Sequence, residues 1–567
     1  MPPISRRTTA LRDRYARSSG RRKISLGRRL DAEERARALA AIAAAIAAAD
    51  FERQELLRAA RARDLFDLRT PPGARHRERL LTLRSRVRAL KRKRGLLARG
   101  EAPSFSYTTH FADVADAGGF DAVAGNPPWV RVHHMPAEDR ARYRDQFRTY
   151  RASAWVEGAR GASAGRGFAG QADLAALFLE RALDLLAPNG TLGLLLPAKL
   201  WRSLAGGGAR QLALSRANIV AIEDYAEAPD VFDAAVYPSL IVATRATGAD
   251  RRREAAARVG VQRRGSLCTW TAAPERLSFD STDGSPWLLL PPDAHASFDL
   301  LTGAGVPLFE SCLRRPHLGV KTGCNEAFVV RADATTAGMT AIRADGRSGE
   351  IEAGSLRPLV RGETLTRWRL APNDERIIWT HGASGQPVSE LPARTHHWLA
   401  RSRRMLERRT DSHSGQWWSL FRTESAECTS ARVVWGDFGR APVAAVLDPG
   451  DRTVPLNTCY SIACARIDDA LAFAALLNST VAAAWLSVLA EPARGGYHRY
   501  LGWTIARLPI PVDWPRARGI LAPVARTARA GSPPSACELQ AVVLDAYEVP
   551  HSAVRPLLAW ADPCHSE

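Results

Sequence analysis

Apolar residues recur at helical spacing along the first hundred positions, against a strongly basic background. The Ala-rich run from Ala38 to Ala49 favours helix on propensity, and Asp31 with Glu34 three positions later has the form of a capping box. Thr70-Pro71-Pro72-Gly73 breaks the pattern. Beyond it, Leu80, Leu83, Val87 and Leu90 are spaced as a coiled-coil seam. Two helices joined by a short Pro-Gly break predict an antiparallel hairpin over residues 1–100. The cluster Lys91-Arg92-Lys93-Arg94 could meet phosphates, although a solvated helix end is the commoner meaning of such a run.

Between residues 101 and 250 the pattern alternates between strand and helix. Phe120-Asp121-Ala122-Val123-Ala124 reads as a short apolar strand entering Asn126-Pro127-Pro128-Trp129. Leu174 to Leu186 repeats apolar residues at helical spacing, Pro188-Asn189-Gly190 reads as a turn, and Thr191 to Leu196 as a buried strand. Ile219 to Ile222 and Ser239 to Ala243 complete the set. Such alternation implies an α/β sheet, with ligands at the carboxyl ends of its strands. Asn126 stands at such an end. The polar stretch from Thr244 to Ala257 suggests a boundary near residue 250. A Trp- and Pro-rich region of short strands and a few helices follows over 251–515. Ser532-Pro533-Pro534 marks a late linker in a C-terminal helical segment, 516–567.

Composition narrows the partners. The net charge is +20 and the pI about 10.3, mostly from Arg. Part of this is compositional bias, but a basic surface attracts polyanions by counterion release, which makes nucleic acid the expected partner. No apolar run is long enough to span a bilayer, so no membrane is expected. The N-terminus is Arg-rich without an apolar signal core, and the eight cysteines form no Cys-x-x-Cys pair. This argues for the cytoplasm and against a metal site.

The Asn126 turn carries the chemistry. An adenine amino group is a poor nucleophile because its lone pair is delocalised into the ring. Two hydrogen-bond acceptors pull that nitrogen towards tetrahedral geometry; the Asn126 side-chain carbonyl and the Pro127 backbone carbonyl are suited to the task. Two successive prolines hold the backbone rigid, and Trp129 offers an aromatic face. Methyl transfer from a sulfonium donor is then an in-line displacement aided by proximity and fixed dipoles, on a base that has left the duplex. A rigid strand-ending turn with no catalytic role is the competing meaning of an isolated Asn-Pro-Pro.

With this turn in its context, the chain resembles the gamma-class adenine-specific DNA methyltransferases, particularly the methylase and recognition half of type IIG restriction–modification enzymes. The similarity covers roughly residues 105 to 515 and runs through His110-Phe111-Ala112-Asp113, Asn126-Pro127-Pro128-Trp129, Ala172-Asp173-Leu174 to Ala182, Leu196-Pro197-Ala198-Lys199, and Val231-Phe232 ahead of Tyr237-Pro238-Ser239-Leu240. The resemblance implies S-adenosylmethionine as cofactor, with Asp113 and Phe178 on its adenine, and Phe232 stacking on the flipped base. It also implies a partial Rossmann-like methyltransferase sheet and a C-terminal mixed α+β target-recognition domain. Gly319-Val320-Lys321-Thr322-Gly323-Cys324-Asn325-Glu326-Ala327-Phe328 is similar to a recurrent segment of that domain. Leu359-Val360-Arg361-Gly362, Trp417-Trp418, Leu477-Asn478-Ser479 and Leu508-Pro509-Ile510-Pro511 follow in order. The resemblance implies double-stranded DNA as partner, with Lys321, Thr322, Asn325, Arg361, Arg494 and Arg499 as contacts; Arg matches phosphate and guanine edges bidentately, and a solvated loop is an equal reading of the Arg494-Gly495-Gly496 segment and of Arg499.

The chain departs from the family in one respect. The glycine-rich strand–turn that cradles the cofactor's methionine part is not found upstream of Asp113, and Gly206-Gly207-Gly208 falls on the wrong side of the catalytic turn. No Pro-Asp…Glu-x-Lys nuclease signature is present either. A split enzyme with a partner chain supplying the cofactor half, an inactive fragment, and an unrecognised cofactor loop are the open explanations. A non-catalytic DNA-binding specificity subunit, and methylation of RNA or a protein glutamine, are the competing functions.

Overall fold

The computed structural model describes residues 8, 10–11, 14–15, 17–59, 74–100, 107, 111–131, 134–161, 173–226, 237–247 and 256–561, apart from 264, 314, 383, 410–415 and 494–495. The chain divides into two compact units. One is Met1–Ala122 with Leu185–Gly190; the other is Val123–Asp184 with Thr191–Glu567.

The first unit is built on α1 (Gly20–Ala59) and α2 (Ala74–Ala98). They run antiparallel, as the Arg79–Glu52 ion pair and the contact of the His76 ring with the Leu56 carbonyl require. Ala38, Ile42, Ile46 and Ala49 of α1 bury against Leu83 and Val87 of the expected seam and against Leu97, with Leu90 partly buried beside them and Leu80 outside the cluster. The helix starts earlier than expected. Asp31 lies inside α1 rather than at its cap, because Gly20 to Leu30 contains no proline and continues the helix without a break. The Thr70–Gly73 break lies outside the described residues. A short helix, α3 (Ala112–Asp116), precedes β1 (Phe120–Gly125).

β1 enters a six-stranded sheet with β2 (Leu186–Pro197), β3 (Ala217–Asp224), β4 (Pro238–Arg245), β5 (Ala257–Arg263) and β6 (Ser266–Ala272), in the order β1-β2-β4-β3-β5-β6. β4 is antiparallel to both neighbours, β3 and β5 are parallel, and β5 and β6 form an antiparallel pair. Leu192, Leu194, Leu196, Ile222, Ile241 and Val259 supply its buried positions. Two strands therefore come from beyond residue 250, the expected boundary. β2 also begins earlier than the turn chemistry suggested. Pro188-Asn189-Gly190 falls within the strand, and the turn tendency survives only as a left-handed Asn189, φ 63°. α4 (Leu174–Leu185), α5 (Lys199–Arg202) and α6 (Gly207–Arg216) belong to the same region.

β1 differs from the other strands. It is an edge strand, and although its sequence is apolar, Asp121, Ala122, Ala124 and Gly125 are all exposed. The glycine cluster is a packing device. A Cβ on Gly206 would stand 1.9 Å from the Leu200 carbonyl oxygen, and one on Gly208 would stand 2.5 Å from that of Ala152.

The C-terminal region contains a second sheet of β7 (Val329–Thr336), β8 (Met339–Ala344), β9 (Arg347–Glu352), β10 (Leu356–Val360) and β11 (Glu375–Ile378), in the order β9-β8-β7-β11-β10 with Val454–Pro455 beyond β10. A four-stranded sheet centred on Ala431–Gly436 packs on helix Ile467–Leu477, which also packs on helix Trp514–Ala530. The C-terminal helices thus join the largest core, with Ser535 and Glu538 forming a reciprocal cap after the proline linker. A third small sheet joins β12 (Phe438–Gly439), β13 (Glu491–Ala493) and β14 (Tyr497–Arg499), in the order β12-β14-β13. No single described helix is long and apolar enough to cross a membrane. The bent pair Ile467–Leu477 and Thr480–Leu489 passes on length and composition, but its apolar residues form the protein core.

Candidate active site

The strand-ending turn is held on both sides. Pro127 is buried, and the indole N–H of Trp129 donates to the Leu195 carbonyl of β2 at 3.4 Å. The Val130 carbonyl accepts from the Leu174 N–H at 2.9 Å, and Arg131 bridges to Asp173. Asp173 is almost fully buried. One carboxylate oxygen accepts from the Ala175 N–H at 3.1 Å, starting α4. The other meets Lys199 Nζ at 2.8 Å. The Asp173 carboxylate therefore joins the starts of α4 and α5, while the turn is tied to the same segment through backbone pairing. Asn126 sits in this frame with its side chain exposed and no hydrogen bond to any described residue.

Around the turn, Met135, Tyr150 and Leu177 form a small core with Val130 and Leu174 packed against it. Glu180, buried one turn further along α4, accepts from the Thr149 hydroxyl at 2.6 Å and from the N–H groups of Arg148 and Thr149. Phe178 lies between these buried positions, yet its side chain is 42% exposed. Glu491 of β13 completes the charge pattern. Burial raises its carboxyl above the usual range, while Lys199, Arg499, Arg131 and Arg210 pull it down. β13 packs against α5, which brings this acid from the far end of the chain to the Lys199 side of the turn.

Of the cofactor and base-stacking residues expected from sequence, Phe232 lies outside the described residues, and only the backbone of Asp113 is described, within α3. The expected DNA contacts separate into two places. Asn325 and Arg361 line one groove of about 560 Å³ with Arg331, Arg343, Arg347 and Glu375. Three of its arginines hold acids: Arg361 to Glu375 at 2.8 Å, Arg343 to Asp333 at 2.7 Å, and Arg331 to Asp374 at 3.9 Å. Beside it, the Thr322 hydroxyl is buried and donates to Asn325 Oδ1 at 2.6 Å, while the Lys321 backbone pairs with Phe421. Thr322 thus shapes the turn. Arg499 lies apart on β14, near Asp437, and Arg494 falls outside the described residues.

The sequence quotes Asp173 and Lys199 only as pieces of longer motifs; their pairing is a product of the fold. Glu491 had no signal at all. Among the described residues no group of three His, Cys, Asp or Glu could hold a metal ion.

Residues 77–232, which contain the Asn126 turn, Asp173 and Lys199, match the family model described as Eco57I restriction-modification methylase. Type II methyltransferase M.PaeR7I of Pseudomonas aeruginosa is 26% identical over 418 residues, covering 70% of this chain and 65% of that protein. The chain is thus similar to Type II methyltransferases over most of its length. A second such relative, M.XhoI of Xanthomonas vasicola, is 22% identical and is covered over 68% of its length. The chain thus spans about two thirds of the curated methyltransferases it matches. Among solved structures, the Type IIL restriction-modification enzyme MmeI in complex with DNA shares the fold with a TM-score of 0.50 at 12% identity. That likeness covers 80% of this chain and 55% of MmeI.

Proposed function

We propose that this chain is the catalytic and target-recognition part of an adenine-specific DNA methyltransferase, in a restriction–modification or phage-defence setting. The observation that carries the proposal is Asn126. An exposed amide without a structural partner, set in a Pro-Pro turn whose neighbours are all tied down, is arranged for a ligand. Its side-chain carbonyl and the Pro127 carbonyl accept hydrogen bonds from the amino group of an extruded adenine. Trp129, fixed through its indole nitrogen, stacks beside that base.

S-adenosylmethionine, when bound, supplies the methyl group. The solvent-exposed ring of Phe178, on a helix whose adjacent side chains are buried, fits the stacking partner that the cofactor's adenine needs. Asp113 holds the same adenine. A partner chain that supplies a glycine-rich cradle fits the edge position of β1, where an added strand extends the sheet; a cradle formed by an unrecognised loop of this chain is the alternative. The groove beside Asn325 and Arg361 reads the DNA target, aided by Lys321 and Arg499.

A non-catalytic specificity subunit is the second reading, favoured by the lack of a glycine-rich turn before Asp113. The deciding experiment expresses the full chain, alone and with its neighbouring reading frame, and supplies labelled S-adenosylmethionine with unmethylated plasmid DNA. The digested DNA is expected to yield labelled N6-methyladenine. Label in RNA, in protein or in methylcytosine overturns the adenine assignment, and no label in either preparation leaves the specificity-subunit reading standing.

A further inference from the structure

The small sheet of β12, β13 and β14 carries an aromatic surface that the methyl-transfer site does not use. Phe438 is 47% exposed, and its ring stacks on Tyr497 with centroids 4.9 Å apart and planes 14° from parallel. A cation lies against each ring. The Arg499 guanidinium is 5.9 Å from the centre of Phe438, and that of Arg440 is 5.5 Å from the centre of Tyr497. Register explains the assembly. Phe438 stands directly across from Arg499, and Tyr497, two residues before Arg499, shares its face of β14. An exposed phenylalanine whose ring is supported behind by a tyrosine, with two arginines alongside, is costly in water and unnecessary for the core.

The same face leads to the catalytic turn. Glu491 is the cross-strand partner of Arg499, and it lies in the field of Lys199 and Arg131, on the segment that follows Asn126. Glu491 thus stands in register with Arg499 of the platform, while its strand packs against α5, which begins at Lys199. Arg440 has no carboxylate within 4 Å among the described residues, and Arg499 has only Asp437, at 3.8 Å. A surface that combines flat apolar rings with incompletely neutralised arginines suits a nucleobase flanked by phosphates. An apolar peptide would use the rings and leave the cations without a role.

We infer that Phe438 and Tyr497 form a stacking platform for an unpaired nucleobase of the DNA duplex, the base left behind when its partner enters the catalytic turn. This assignment rests on the methyltransferase reading for the identity of that base, but the platform is tested without methyl transfer. The probe is a short duplex with 2-aminopurine facing an abasic sugar, compared with the fully paired duplex. The full-length chain is expected to quench the 2-aminopurine emission and to bind the abasic duplex about tenfold more tightly than the paired one. Phe438→Ala loses both effects, and Tyr497→Phe keeps them. Phe438→Leu, which retains apolar volume without a flat ring, also loses them and covers the case in which the alanine variant is unstable. Wild-type quenching in a folded Phe438→Leu protein overturns the inference. Ring-dependent quenching without any methyl transfer keeps the platform and removes the methyltransferase reading; methyl transfer with ring-independent binding does the reverse.

Discussion

Lys199 meets Asp173 at 2.8 Å, and the carboxylate side chain it reaches is only 2% exposed. Removing either partner leaves a buried charge or a broken helix start beside the turn. Lys199 itself is 30% exposed, so water softens the loss to about 1–3 kcal/mol. Asp173→Asn is expected to lower the melting temperature and to reduce kcat by about tenfold to a hundredfold, with a smaller change in KM, because the turn shifts rather than the DNA-binding surface. Equal losses in kcat and DNA affinity would argue against a positioning role.

Asn126→Ala behaves differently. Its side chain holds nothing in the fold, so stability should stay within about 0.5 kcal/mol of wild type. Methyl transfer should fall at least about a hundredfold. Unfolding curves and nucleoside analysis on the same preparation check both halves of the expectation.

Two histidines set the acid limit. Burial, reinforced by Arg202 and Arg263, pushes His498 down to about 4, and burial with a further contribution from Arg357 pushes His381 down to about 4. In the unfolded chain each takes up a proton near pH 6.5, while the folded protein keeps both neutral to about 4. Their contribution to stability is complete above pH 6.5 and is lost as the pH falls towards 4. Urea midpoints should drop across that window, and a His381→Phe, His498→Gln double variant should fall less steeply. Parallel curves would remove the histidines as the cause.

Arg210 is fully buried, and burial lowers its guanidinium to about 9. It donates to the carbonyls of Leu200, Ser203 and Gly284, closing the loop that Gly206 lets approach. Arg210→Met strands three carbonyls and should cost about 3–5 kcal/mol, read by urea titration. Arg210→Lys should not rescue, because an ammonium cannot reproduce the planar fork.

What the sequence disclosed was local. Helical period located Leu83 and Val87 in the hairpin core, and turn chemistry placed Asn126 at the end of β1. The exposure of β1 was not legible, because an apolar run records what a strand can cover, whereas exposure depends on which neighbour is present. Asp31 was misplaced for a related reason: a capping pair is only a cap where the preceding residues fail to continue the helix. Glu491 and the Phe438–Tyr497 stack were illegible because pairing across distant strands leaves no period to detect.

The edge of β1 also has a kinetic consequence. Phe120 to Gly125 contains one charged residue, Asp121, and no proline to discourage pairing. Among the described residues no strand pairs with its outer edge, so a second copy of β1 can add there at a rate that rises with concentration. Soluble lifetime should therefore shorten as the chain is concentrated, and a charge placed on the exposed face of β1, as in Ala124→Lys, should lengthen it.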